Sequence, residues 1–460
     1  MTNISQPLQL EEISLIAFGN YIYNFGCSAL SQTENSSNIN DVSASIHEVI
    51  RRTVPPKLAD KVTMYLLSKM EELCALQLEG TKAKLVRQTI LGAIIHPATT
   101  KLHLSSCVPN WFPSMTLIKE LRVDNIFLKF NEDVLISGLK RMNILEVFCY
   151  TWFCTNKILD AIGKNCLNLK VLEISGSKKV TNKSVSSILQ LRNLEHLELF
   201  NTRIHRKGIT KLLEGLNSRI VTSFTCNSVN KSQLKLMTNK MPKLRHVKFQ
   251  SKKCETMTLK QFSQIESLGL CRVNLKKIDM NTTHIWPHSF NYLNILSLTK
   301  MKFSSVFTLL LEVGSKITEL MLHEVKYISA IAIAETCPAL KILKIIDCYE
   351  DGCAKELWRN FNESPLFQSV QEVVMHLEED VYFIIFVLCC CTNVRKVDVG
   401  LFGDDIDEEL DYPDILENVL VFNKLARLEE FHTMQVLKEE VIRQTVRQCT
   451  NLTLLTGKLE

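Results

Sequence analysis

A short frame of apolar residues recurs along most of this 460-residue chain, and it limits what the chain can fold into. The frame is L-x-x-L-x-L-x-x-(N/C/T/S), as in LKVLEISGS from Leu169 and LEHLELFNT from Leu194. Its first positions fall at Thr99, Ile118, Leu145, Leu169, Leu194, Val221, Leu244, Ile265, Leu293, Ile317, Leu340, Val370, Val394, Leu428 and Leu452. The mean spacing is about 25 residues, a period that indicates stacked repeats rather than separate globular domains.

The frame resembles that of leucine-rich repeats, and the cysteines indicate the cysteine-containing class. In four repeats a cysteine stands three residues before the first position: Cys166, Cys337, Cys391 and Cys449. In two repeats a cysteine occupies the ninth position of the frame: Cys107 and Cys348. The resemblance implies an α/β fold, a horseshoe-shaped solenoid with a parallel sheet on the concave face and helices on the convex face. In that class the buried thiol acts as a small apolar residue.

The local pattern agrees with this architecture. Alternating apolar residues in the x-L-x-L segment predict a short strand, and the apolar spacing in residues 158–162 and 183–189 predicts helices. Each strand-and-helix unit buries its apolar face only against its neighbours. We therefore predict a helical adaptor-binding or capping region over residues 1–95 and a solenoid of about 15 repeats over residues 96–460.

Composition supports one long array. Glycine (15) and proline (11) are scarce, which leaves little linker-like sequence. The net charge of +5 is small and is expected to be dispersed, so we predict no nucleic-acid partner. The N-terminus lacks a signal-peptide pattern, and the longest apolar run, from Val381 to Cys391, is too short to span a membrane. We expect no membrane partner, a cytoplasmic and/or nuclear location, and sixteen cysteines that are intracellular thiols.

Catalytic motifs are missing from the sequence. It has no C-x-x-C, H-E-x-x-H, G-x-S-x-G, P-loop or G-x-G-x-x-G pattern, so we predict no enzyme, no catalytic residue, no cofactor and no metal site. His284 and His288 are closely spaced but have Pro287 between them, and loop polarity explains them better than zinc. Cys389, Cys390 and Cys391 close an apolar run and are interpreted as part of a buried helix.

Two regions of the predicted solenoid are candidate interaction sites. Residues 404–414 carry seven carboxylates, which predicts a solvated loop or an acidic docking element for a basic partner. The concave strand surface is where such proteins usually bind, and its mixed charge fits a protein ligand. The predicted partner-binding residues on it are His196, Glu198, Phe200, His246, Lys248, Gln250, Met321 and His323, and Glu372 and His376 belong to the same face.

The segment before the repeats has its own pattern. Residues 12–23 show apolar residues at helical spacing with Ser14 as a cap, and a polar spacer, SQTENSSNIND, follows. In residues 54–70 prolines open a helix, whose predicted apolar face is Leu58, Val62, Leu66 and Met70.

This layout resembles the elongin-binding box and cullin box of elongin-linked ubiquitin ligase receptors, most of all the Zyg-type substrate receptors. The resemblance implies that Ser14, Leu15, Phe18 and Tyr23 bind the adaptor and that Val54, Pro55 and Leu58 bind a cullin. Gly19 departs from the pattern, because the family usually has cysteine there. Zyg-type proteins also carry armadillo-like repeats, which this sequence does not show.

The resemblance implies a non-catalytic substrate-recognition subunit of a cullin-type ubiquitin ligase. Its expected partners are elongin C, elongin B, a cullin and an unknown protein substrate. Three alternatives stay open. The chain could be an F-box-type receptor, since V-P-P-K-L has the apolar-proline opening of that motif. It could be an interaction scaffold whose N-terminal helices only cap the solenoid. The third, an acidic inhibitor of a basic enzyme, is disfavoured by the positive net charge.

Overall fold

The computed structural model describes residues 14–22, 24, 36–77, 93–104, 115–123, 132–250, 264–271, 290–350, 366–378, 380–401 and 414–459. These residues form two compact units. The N-terminal unit runs to Asn227 and also holds Lys240–Lys243, and the C-terminal unit holds Ser228–Asn239 and the chain from Leu244 onward. Each unit is an array of strand-and-helix repeats.

The N-terminal unit begins with helical segments and continues as a parallel sheet. Residues 14–22 are helical. The longer helices and the strands are α1 (Ser36–Thr53), α2 (Ala59–Gln77), β1 (Lys101–Leu104), β2 (Glu120–Val123), α3 (Glu132–Leu139), β3 (Val147–Tyr150), α4 (Asn156–Asn165), β4 (Val171–Glu173), α5 (Val185–Ile188), β5 (His196–Glu198), α6 (Arg206–Gly215) and β6 (Ser223–Ser228). Strands β1 to β6 pair in sequence order.

The C-terminal unit repeats the same alternation. Its elements are α7 (Lys231–Lys240), β7 (His246–Gln250), β8 (Ser267–Cys271), β9 (Ile295–Thr299), α8 (Phe303–Val313), β10 (Glu319–His323), β11 (Lys326–Ile328), α9 (Ala330–Thr336), β12 (Ile342–Ile346), β13 (Tyr349–Glu350), β14 (Glu372–Leu377), α10 (Val381–Cys390), β15 (Lys396–Leu401), α11 (Ile415–Phe422), β16 (Glu430–Leu437), α12 (Glu439–Gln448) and β17 (Leu454–Leu459). The main sheet has the parallel order β7-β8-β9-β10-β12-β14-β15-β16-β17, and β11 pairs with β13 beside it.

The strand register confirms the repeat frame and the leucine-rich-repeat fold. In the main sheet, the pairing of neighbouring strands begins at the residues two positions after the predicted first positions, for example Val171 opposite His196 and Ile342 opposite Glu372. All the first positions except Leu452 are buried, and so is the fourth position of those same repeats. Because a one-residue slip would turn these side chains to the opposite face, the apolar frame fixes the register.

The turns between helix and strand are built by the predicted cysteines. Cys166, Cys337, Cys391 and Cys449 each end a helix and donate a backbone hydrogen bond into its last turn. The Cys166 thiol lies 3.5 Å from the Leu139 carbonyl oxygen of the preceding repeat. These four cysteines therefore have the structural role that was predicted for them. Cys348 is also buried, and Cys107 lies outside the described residues.

Asparagines link the same turns from one repeat to the next, a feature that the sequence analysis missed. Asn168 donates to the Asn143 carbonyl at 3.0 Å, Asn193 to Leu167 at 3.2 Å and Asn451 to Ala426 at 3.2 Å. Each of the three asparagines stands one residue before a first position, so an alignment of the repeats shows asparagine recurring at this position. These bonds give the carbonyls of an exposed turn a fixed partner.

The N-terminal region contains more helix than predicted. The prediction of a polar spacer is wrong from Ser36 onward. Helix α1 begins at Ser36, and its residues Ile46 and Ile50 are buried. The polar residues at its start obscured the helical spacing of Ile39, Val42, Ile46 and Ile50. The helix predicted after the prolines is confirmed as α2, where Val62 and Leu66 are buried.

Asp60 joins α2 to the first repeat. Its carboxylate accepts hydrogen bonds from the Thr100 backbone N–H at 2.6 Å, the Thr100 hydroxyl at 2.7 Å and the Lys101 N–H at 3.1 Å. Partial burial opposes ionisation, but these bonds outweigh it and hold the pKa of Asp60 below its usual value. Nearby, the buried hydroxyls of Thr63 and Thr99 lie 2.9 Å apart. The helix is thus tied by polar bonds to the start of the sheet.

We expect Asp60→Asn to lower the free energy of unfolding by about 1 kcal/mol at pH 7, since the amide makes weaker and fewer bonds to these donors. A carboxyl with a lowered folded pKa contributes stability above its unfolded pKa of about 4 and loses it as the pH falls further. Urea unfolding at pH 7 and at pH 3 should therefore show the difference shrinking at low pH. Asp41→Asn, at an exposed carboxyl of α1, is the control. An equal loss for both variants would contradict this role.

Candidate protein-binding surfaces

The exposed face of the sheet in the N-terminal unit carries three of the predicted partner-binding residues. His196 and Glu198 lie on β5 at alternate positions, Phe200 follows, and all three are half-buried. Glu198 accepts a 2.7 Å hydrogen bond from the Ser175 hydroxyl, and His196 Nε2 lies 3.6 Å from a carboxylate oxygen of Glu173. The side chains form a polar strip held by contacts between neighbouring strands.

The strip extends towards β1 through a charged group. The Arg122 guanidinium donates to Glu120 at 2.7 Å and reaches Glu173 at 3.5 Å. His103 lies 3.2 Å from Glu120. Partial burial opposes ionisation of Glu120, but the hydrogen bonds from Arg122 and His103 outweigh it and lower its pKa. This part of the face presents paired charges rather than an apolar groove.

In the C-terminal unit the other predicted residues also lie on the exposed face. His246, Lys248 and Gln250 alternate with buried residues on β7, and Met321 and His323 do the same on β10. The stem of Lys248 lies across the neighbouring strand, where a Cβ at position 269 would come within 2.5 Å of it. Glycine at position 269 therefore gives the lysine stem room on the sheet.

A ladder of opposite charges crosses the middle of this unit. The Lys344 ammonium on β12 lies 3.4 Å from Glu319 on β10 and 3.7 Å from Glu372 on β14. Lys396 and Glu430 form a similar pair at 2.6 Å between β15 and β16. Cross-strand pairs of this kind contribute modestly to stability, but they set which charges a partner meets.

Two histidine–aspartate pairs lie on the same face. His323 Nε2 is 3.1 Å from an Asp347 oxygen, and His376 Nε2 is 3.0 Å from an Asp398 oxygen. The two histidines were predicted on this face, but their aspartate partners were not. The residues that pair with His323 and His376 in the strand register are Ile346 and Gly400, and the aspartates lie one and two positions away from them.

The first helix places the predicted adaptor-binding residues unequally. Ser14 is exposed, Leu15 and Phe18 are half-buried, and Tyr23 lies outside the described residues. Gly19 is buried, and a Cβ there would come within 2.6 Å of the Tyr65 ring on α2. The residue that departs from the elongin box is thus where this helix packs against α2.

The predicted cullin-binding residues also differ in exposure. Val54 is buried at the end of α1, so its side chain contributes to the core. Pro55 is exposed, and Leu58 is half-buried just before α2. Of the three, Pro55 and Leu58 are accessible to a partner.

The other candidate sites do not gain a chemical function from the structure. Cys389, Cys390 and Cys391 are buried, as predicted, and no group of three or more His, Cys, Asp or Glu in the described part of the chain could hold a metal ion. His284 and His288, and the acidic segment up to residue 413, lie outside the described residues. Asp414 caps α11 by accepting from the Glu417 N–H at 2.9 Å. Among the described helices, none has the length and apolarity that crossing a membrane requires.

Comparison with known proteins identifies structural likeness only. No protein-family profile matches the chain, and no curated protein matches it significantly. The crystal structure of the Rad7 and Elc1 complex in yeast has a chain that is similar over 93% of this chain and 94% of that one, with 12% identity and a TM-score of 0.41. A leucine-rich-repeat protein of Leptospira interrogans is similar over 78% of this chain and 95% of its own, with 12% identity and a TM-score of 0.27.

The buried thiols give a direct test of the turn structure. Burial raises the pKa of Cys166 to about 12 and that of Cys337 and Cys449 to about 11, so these thiols are protonated at neutral pH. We expect iodoacetamide at pH 7.5 to leave all three unlabelled in the native protein and to label them in 6 M urea, as read by peptide mass spectrometry. Native labelling of Cys166 at the rate of a free thiol would contradict the structure.

Proposed function

We propose that the chain is a non-catalytic substrate-recognition subunit of a cullin-type ubiquitin ligase. In this proposal the N-terminal helices bind elongin C, with elongin B, and a cullin. The exposed sheet face binds a protein substrate. The described residues that support it are Leu15 and Phe18, Pro55 and Leu58, and the polar strips of the sheet.

The observation that carries the adaptor part is the accessibility of two apolar side chains on the first helix. Leu15 and Phe18 stand three positions apart, and neither is fully covered by the rest of the N-terminal unit. Two apolar anchors at this spacing are what a hydrophobic groove takes up from a docked helix. Burial in such a groove would remove the remaining exposed apolar surface from water.

The substrate part is supported by the composition of the exposed sheet face. Its lysines and glutamates already form pairs, such as Lys344 between Glu319 and Glu372. A protein that docks there has to offer charges in a matching order, because a mismatched charge would disrupt an existing pair without replacing it. A face of this kind selects one protein surface among many.

A second candidate function is an interaction scaffold without a link to ubiquitin. The observation that favours it is the packing of the first helix, in which Gly19 and Ile22 are buried and position 19 lies against Tyr65. A helix that covers the start of an array shields apolar residues that would otherwise be exposed. In this alternative Leu15 and Phe18 serve stability only.

Replacing both Leu15 and Phe18 by asparagine separates the two functions. The ligase proposal predicts that co-expressed elongin C, elongin B and cullin no longer copurify, while the thermal midpoint changes by less than about 2 °C, because the side chains are only half-buried. Leu311→Asn, at an exposed leucine of α8, is the matched control and should leave both readouts unchanged.

Other outcomes would contradict the proposal. A midpoint lowered by several degrees, with no adaptor bound even by the unaltered chain, would establish the capping role and the scaffold function. Copurification of a Skp-type adaptor in place of elongin C would show an F-box-type receptor instead.

A further inference from the structure

The positive charge of the chain is not dispersed, contrary to the expectation from composition. Residues 164–250 carry 17 lysines and arginines but only 4 aspartates and glutamates, a net charge of +13, whereas residues 290–460 carry 16 and 27, a net charge of −11. A net charge of +5 for the whole chain hides these two opposite regions. The reason for expecting no nucleic-acid partner therefore fails.

Part of this charge is concentrated on one edge of the N-terminal unit. The loops after β4 and β5, with the helical turns that follow them, carry the residues that we name the basic edge: Lys178, Lys179, Lys183, Arg203, Arg206 and Lys207. All six are exposed, and residues 174–194 and 199–213 contain no carboxylate. Lys179, Lys183, Arg203 and Lys207 form no ion pair within the described part of the chain. These four cations form a cluster of like charges.

Two carboxylates that are close to the basic edge in sequence make their contacts with other residues. Glu173 faces Arg122 at 3.5 Å and His196 at 3.6 Å on the exposed face of the sheet. Glu198 accepts from Ser175 at 2.7 Å. These contacts of the two acids are therefore with residues outside the basic edge.

The backbone beneath the basic edge is held in place. Lys179 bridges to Thr155 and Arg203 bridges to Thr181, both in parallel, so successive loops are stacked. Asn156 accepts from the Thr181 N–H at 2.9 Å, and Asn182 accepts from the His205 N–H at 2.9 Å. Because the loops are fixed before binding, a ligand orders only the side chains, which lowers the entropy cost of association.

An exposed tryptophan borders the edge. Trp152 is 51% exposed and has a φ of 70°, a left-handed conformation that is rare for a bulky residue. One face of its indole covers Gly176, where a Cβ would lie within 2.6 Å of the ring. The rest of the indole is accessible and offers a flat aromatic surface at the loop after β4, which also carries Lys178.

We propose that the basic edge binds a single-stranded nucleic acid through its phosphodiester backbone, with Trp152 as the stacking surface for a base. Phosphates need only a row of cations, and bases of any sequence stack on an indole. An acidic peptide or a membrane surface would also need apolar anchors. Between residues 132 and 250 the large hydrophobic side chains that are clearly exposed are Trp152 and Leu167, which is too little for either.

The test is fluorescence anisotropy of a labelled 20-nucleotide thymidine oligomer with the full chain, from 50 to 200 mM salt. We expect the triple variant Lys179→Glu/Arg203→Glu/Lys207→Glu to bind the oligomer at least tenfold more weakly. The slope of log affinity against log salt concentration should become shallower by about 2, since each phosphate that is no longer neutralised removes roughly 0.7. The matched control, Lys140→Glu/Lys341→Glu/Lys424→Glu, changes the net charge equally at exposed lysines outside the edge and should change affinity by less than twofold.

A tryptophan variant, glutamine variants and two other polyanions provide further tests of the proposal. Trp152→Ala should weaken binding of the single strand several-fold but leave binding to the matching duplex, whose bases are already stacked, nearly unchanged. If the charge reversals unfold the protein, the glutamine versions at the same three positions replace them. Equal losses in edge and control variants would overturn the proposal, and so would tighter binding of poly-glutamate or of anionic vesicles than of the oligomer. Adaptor copurification is a separate readout, so this result does not depend on the ligase function.

Discussion

Pairing between successive parallel strands is the constraint on which the rest of this structure depends. A strand of two to eight residues cannot satisfy its own backbone groups, and each repeat buries its apolar face only against its neighbours. The alignment of residues such as Val171 with His196 places one side chain in the core and the next on the exposed face throughout each unit. The cross-strand ion pairs, the stacked loops and the turn asparagines described above all follow this register.

That register explains why the fold could be predicted so completely. The apolar frame alone gave the first position of each repeat, because burial at positions such as Leu169 and Leu172 tolerates no slip. The cysteine turns followed from the same frame. The α1 helix was missed because the polar residues around Ser36 were interpreted as a spacer, although Ile39, Val42, Ile46 and Ile50 recur at helical spacing in the sequence.

The candidate sites were less predictable than the fold. The residues on the exposed face of the sheet were predicted correctly, because side chains along a strand point alternately to the core and to the exposed face. Their partners were not predicted, because Asp347 and Asp398 lie one and two positions away from the residues that pair with His323 and His376 in the strand register. In the N-terminal region a short degenerate motif could not show that position 19 faces Tyr65, because that contact joins residues far apart in sequence and depends on how two helices pack.

The charge distribution shows this limit of prediction most clearly, because the net charge of the whole chain does not say where the charged residues lie. In a repeat array, residues about 25 apart in sequence become neighbours, so a modest local excess of lysine and arginine in two successive repeats becomes a dense patch. Lys179 and Arg203 are such residues, and the loops that carry them are joined by the bridge between Thr181 and Arg203. Like charges placed together in this way lower stability and gain nothing from one another. An arrangement that is unfavourable for the isolated fold is most simply explained by a ligand that offsets the repulsion, and a row of phosphates does so with one charge for each cation.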